Sequence, residues 1–132
     1  MTQVTEYKLS FCTLLQRDDD VVIIEINEGV EVDAKMAQEL IELSDSVYGD
    51  TPFALLSNRI NSYSQSFEAM HVLAMKPNLV ALAVVIYTDR SKLLVETQNF
   101  FISTIKKKPV KIFTDKDMAT EWLKDELRNE AA

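Results

Sequence analysis

Residues 7–13 alternate, with Tyr7, Leu9, Phe11 and Thr13 set against Lys8, Ser10 and Cys12. That two-residue period predicts a half-buried first strand. Asp18-Asp19-Asp20 is turn-like, and the run Val21 to Ile26 that follows is apolar at nearly every position, as interior strands are. Together they predict a hairpin joining an outer strand to an inner one. From Asp33 the period lengthens. Met36, Ala37, Leu40, Ile41, Val47 and Tyr48 form a helical stripe that Asp33 can cap and Gly49 can stop. Phe53 to Leu56 is a short strand, a polar turn runs from Ser57 to Ser64, and Phe67, Met70, His71 and Ala74 mark a second helix ending before Pro77. Val80 to Tyr87 is the strongest strand. Leu93, Thr97, Phe100, Phe101 and Ile105 outline a third helix closed by Lys106-Lys107-Lys108. Val110 to Phe113 is the last strand, and Thr114 with Asp117 predicts a capping box for a fourth helix, apolar along Met118, Ala119, Trp122, Leu123 and Leu127.

The order is ββαβαβαβα. It predicts an α/β fold with a mostly parallel sheet of about five strands, the first antiparallel, and right-handed crossovers. With 132 residues, 47% hydrophobic and 27% charged, residues 1–132 read as one domain with an ordinary core. One cysteine (Cys12) and one histidine (His71) predict no disulfide, no metal site and no cofactor held by such ligands. Gly29 and Gly49 stand too far apart for a phosphate-cradling loop. The net charge of -7 argues against a nucleic-acid partner. The longest apolar run, Leu79 to Tyr87, falls short of the ~20 residues a bilayer span needs. The opening residues lack a basic region followed by an apolar one, and with the lone thiol this predicts a cytoplasmic protein.

Asn58-Arg59-Ile60-Asn61-Ser62-Tyr63-Ser64 and the ending Pro109 to Thr114, with Ala119 and Trp122-Leu123, carry a resemblance. Over roughly residues 6 to 127 the chain resembles the STAS domain, the SpoIIAA-like fold of bacterial anti-sigma factor antagonists. It is similar in particular to a group of small bacterial proteins of the STAS/SEC14-like kind. The resemblance implies a non-enzymatic regulatory module that acts through protein contact. Antagonist members carry Asp-Ser-Ser-Gly between the third strand and second helix, with one serine phosphorylated. Here Asn61 lacks that aspartate's charge, Ser62 matches the first serine, Tyr63 takes the place of the second and Ser64 that of the glycine.

The stretch from Ser57 to Ser66 concentrates the candidate chemistry. The partner or ligand residues are Asn58, Arg59, Asn61, Ser62, Tyr63 and Ser64, joined by Asp89 and Arg90 at the end of the next strand. Ser62 and Ser64 are candidate phosphorylation sites, with Arg59 or Arg90 to pair with the added charge. The plainer reading makes Ser62 and Gln65 a capping box and Asn61 a turn former. Asp89 with Arg59 or Arg90 could form a rim for a small anion, a nucleotide or a lipid headgroup beyond the carboxyl ends of the strands. A protruding Tyr63 would favour a protein partner, and a deep pocket beneath Arg59 would favour a ligand. His71, flanked by Met70 and Ala74, reads as a packing histidine, and no Gly-x-Ser-x-Gly elbow supports a Ser/His hydrolase. Crossover helices on one sheet face leave the second to be covered by the N-terminal segment, the last helix or another subunit. That need predicts a homodimer or another protein partner.

Overall fold

Continuous apolar strands need cover on both faces, and the chain supplies it from two directions. The computed structural model describes residues 3–88 and 108–131. β1 (Val4–Lys8), β2 (Cys12–Arg17) and β3 (Val21–Ile26) form an antiparallel meander. β4 (Glu31–Val32), α1 (Ala34–Tyr48), β5 (Phe53–Asn58), β6 (Ser64–Gln65), α2 (Phe67–Ala74) and β7 (Leu79–Val85) follow. β8 (Val110–Phe113) and α3 (Lys116–Ala131) come last. The main sheet has six strands in the order β1-β2-β3-β5-β7-β8, parallel from β3 onward, and β4 pairs with β6 in a separate parallel sheet of two. The architecture is α/β with a mixed, mostly parallel sheet.

The alternation over residues 7–13 straddles a turn. Leu9 N–H donates to the Cys12 carbonyl at 3.0 Å, so one expected strand is two, β1 and β2. Asp20 turns the next hairpin in the left-handed region, at φ 65°. Asp33 caps α1 as expected, its carboxylate accepting from Met36 N–H at 2.9 Å. Two other caps differ from expectation. α2 is capped by Ser66, whose Oγ accepts from Ala69 N–H, because Ser64-Gln65 is spent on pairing with β4. α3 is capped by Asp115 rather than Thr114, and Met118 is exposed. The third helix expected near Leu93 to Ile105, with Lys106 and Lys107, lies outside the described residues.

The sheet divides the core. Cys12, Leu14, Val22, Ile24, Ile26 and Phe53 face α1 and α2, while Val21, Ile23, Ala54, Leu56, Ala81, Ala83 and Val85 face Ala119 and Leu123 of α3. The last helix therefore covers the second face, and the need for a second subunit to shield it disappears. Ala54, Ala81, Ala83 and Ala119 are all fully buried, and side chains this small let α3 sit close on the strands. Trp122 packs on Phe113 with ring centroids 5.7 Å apart.

Leu123 has no exposed surface. Leu123→Ala should lower unfolding free energy by about 2–5 kcal/mol, measured by urea titration. Burial, and then the Glu39 charge, push the Cys12 thiol from 9.0 up to about 12. The unfolded chain releases this proton above pH 9 and the folded chain holds it until about 12, so stability should fall as pH rises through that window. Unfolding of Cys12→Ala should show a shallower decline over the same range than the wild type.

Candidate functional site

Strand parity sets the site. On β5, Phe53, Leu55 and Ser57 point toward α1 and α2, and Arg59 just beyond the strand end continues that face. Ala54 and Leu56 point the other way, followed by Asn58. On β7 the pairing shifts between Phe53↔Leu79 and Ala54↔Ala81, which puts Leu79 on the same face as Leu82 and Val84. Between this face and the helices lies a cavity of about 100 Å³. Its walls include Ile24, Ile26, Leu55, Met70, Leu73 and Val84.

One end of the cavity is polar. Arg59 and Tyr63 are buried, at 5% and 8% exposure, and both line it. The guanidinium lies 3.9 Å from the centre of the Tyr63 ring, and its Nη2 donates to the Tyr63 carbonyl at 2.8 Å. The Tyr63 hydroxyl bonds Ser57 Oγ at 2.8 Å. Arg59 Nε is buried with no hydrogen-bond partner among the described residues. At the opposite end Lys76 is ion-paired with Asp45. Lys108 Nζ donates to the carbonyls of Lys76 and Leu79, and burial lowers its pKa.

The rest of the loop is fastened to the segment after β3. Asn61 Nδ2 donates to the Ile26 carbonyl at 3.0 Å, and Ser62 N–H donates to the Glu28 carboxylate at 2.6 Å. Gly29, at φ 78°, donates its N–H to the Ser62 carbonyl at 2.7 Å. Ile60, Ser62 and Ser64 are exposed. Ser62 thus lies beside a carboxylate and well before the start of α2, away from the helix N–H groups expected to welcome a phosphate. Arg59 points into the core and makes no outer rim. Tyr63 does not protrude. Asp89 and Arg90 lie outside the described residues. His71 is exposed on α2 and does not belong to the packed stripe of Ala69, Met70 and Ala74.

Residues 15–127 match the model of a domain family of unknown function, DUF7793. The chain belongs to this family. Its fold is SpoIIAA-like: over 92% of this chain and 93% of the other it superposes on the crystal structure of a DUF3478-family protein with a SpoIIAA-like fold from Shewanella loihica PV-4, at a TM-score of 0.55 and 14% identity. No curated protein matches the sequence. Among the described residues no helix is long and apolar enough to cross a membrane, and no three His, Cys, Asp or Glu side chains are grouped to hold a metal ion.

A second polar group lies on the α3 side: Asn58, expected to meet a partner or ligand, is instead buried and engaged by Glu25 and Tyr87, which the sequence did not single out. Asn58 Nδ2 donates to Glu25 at 2.8 Å, and its Oδ1 accepts from the Tyr87 hydroxyl at 2.5 Å. Burial and then the Glu25 charge raise the Tyr87 pKa. The one signal was Glu25 itself, the only charged position in the Val21–Ile26 run. Asn58 is buried and bonded on both sides, so Asn58→Ala should cost about 1 kcal/mol in urea unfolding, because part-buried Glu25 loses a donor while half-exposed Tyr87 can turn to water.

Proposed function

We propose that this protein is a non-enzymatic binding module that takes up a small, largely apolar molecule between the sheet and α1 and α2. The observation that carries the reading is the cavity of about 100 Å³, walled mostly by aliphatic side chains, with Arg59 at one end and Lys76 and Lys108 at the other. Well-packed interiors seldom keep such space. Phe53 and Arg59 both line it, and six residue steps at ~3.3 Å place them about 20 Å apart. A volume of about 100 Å³ spread between them suits a single chain.

Contact with a protein partner through the loop's outer surface is the second reading. The exposure of Ile60, Ser62 and Ser64 supports it, since they stand outward from the residues that turn in. Phosphorylation of Ser62 or Ser64 belongs to that reading. At Ser62 the added charge would meet Glu28 and loosen the loop. A partner, a second copy of this chain included, would then recognise the altered loop.

Adding 1-octanol to methyl-labelled protein separates the two. The cavity reading expects shifts at Ile24, Leu55, Leu73 and Val84 with none at Ile23, Leu56 or Val85 across the sheet. Unmoved methyls, or equal movement on both faces, would refute it.

A further inference from the structure

Arg59 is nineteen-twentieths buried, yet among the described residues no carboxylate pairs with it. Its partners are neutral, the Tyr63 ring face and the Tyr63 carbonyl. These orient the guanidinium without cancelling its charge. A buried charge that lacks a counter-ion is costly, and buried charges in proteins are normally paired. The Nε–H is a donor with nothing among the described residues to receive it, on a side chain that lines a mostly apolar cavity. Of the two lysines at the other end, Lys76 has Asp45, and Lys108 has all its polar contact in two carbonyls and stands at the far end of the cavity from Arg59.

We infer that the cavity binds a single-chain carboxylic acid as its anion, the carboxylate seated on Arg59 and the tail lying against Ile24, Leu55 and Val84. This rests on the reading that the cavity takes a small molecule, and adds its chemical class. The charge count selects the headgroup. The Arg59 guanidinium balances one negative charge, whereas a phosphate monoester would bring close to two to an end of the cavity that, among the described residues, no second cation lines. A planar carboxylate also fits the side of the guanidinium that carries Nε–H, where two parallel N–H donors can meet its two oxygens. In a chain of net charge -7, long-range attraction does not gather anions, so the contact at Arg59 must do the recognising.

The test is calorimetric titration of the whole chain with octanoate, 1-octanol and octyl phosphate, repeated on Arg59→Met. Octanoate should bind the wild type at least about tenfold more tightly than octanol, the scale of one charge-assisted hydrogen bond. Arg59→Met should abolish that advantage, so that octanoate no longer outbinds octanol, and it should melt no earlier, because it removes an unpaired buried charge. If octanol binds but octanoate binds no tighter, the carboxylate assignment falls and the cavity reading survives. The same holds if Arg59→Met leaves octanoate unaffected, or if octyl phosphate outbinds octanoate. If neither octanol nor octanoate binds, the cavity reading itself falls. Should Arg59→Met fail to fold, the wild-type ranking of the three probes decides.

Discussion

Neighbouring side chains on a strand cannot point to the same side of the sheet, and β5 is where that constraint governs this molecule. Its odd-numbered residues serve one core and its even-numbered residues the other. Because the alternation runs on past the strand's end, Asn58 and Arg59 are sent to opposite faces although they are adjacent. Alanines on the even side let α3 close down without a gap. Leucine, phenylalanine and isoleucine on the other face pack against α1 and α2 and line the cavity between them. A one-residue slip of β5 would bury Asn58 among the aliphatic walls and turn Arg59 toward Glu25.

The contrast between those two residues separates a structural polar group from one that awaits something. Asn58 has both ends of its amide engaged, by Glu25 and by Tyr87, and its burial is balanced inside the molecule. Arg59 has a carbonyl and a ring face, and one donor left over. Interiors rarely leave such groups unmatched without a reason. The Tyr48 hydroxyl is also buried and unpartnered, but it is neutral, and burial raises its pKa so that it remains so. Tyr48 stacks on Phe53 at 4.6 Å, which explains its place by packing alone. The guanidinium stays charged at any ordinary pH and has no such escape.

Most of the fold was legible in the sequence because hydrophobic period survives folding. The strand Val21–Ile26, the cap and stop of α1, and the strand Val110–Phe113 stand where the pattern put them. What misled was continuity of pattern across a change of direction: Tyr7 to Thr13 keeps its alternation through a tight turn that no Gly or Pro marks. The two-residue strands β4 and β6 are too short to show a period, and pairing with β4 is what moved the start of α2 from Ser62 to Ser66. The loop from Asn58 to Ser64 stood out by composition, but composition carries no direction. Arg59 and Tyr63 looked like surface residues until the parity of β5 turned them inward. A cavity has no sequence signature at all, because each of its lining residues looks like ordinary core.

The loop's two surfaces are mechanically one object. Arg59 and Tyr63 line the cavity, Ile60, Ser62 and Ser64 face outward, and three backbone hydrogen bonds tie the strip to residues 29–32. Those bonds run from Gly29 N–H to Ser62 O, from Ser64 N–H to Val30 O and from Ser66 N–H to Val32 O. The last lies next to Asp33, the cap of α1, while Ser66 is itself the cap of α2. A displacement of the Tyr63 ring therefore cannot stay local, because the same strip anchors the first turns of both helices that roof the cavity. An anion seated on the Nε side of Arg59 would share the guanidinium with the Tyr63 carbonyl on Nη2, and that carbonyl belongs to the residue between Ser62 and Ser64. The interior charge and the exterior serines are thus separated by one hydrogen bond and one peptide unit, which makes occupancy of the cavity and the shape of the loop hard to vary independently.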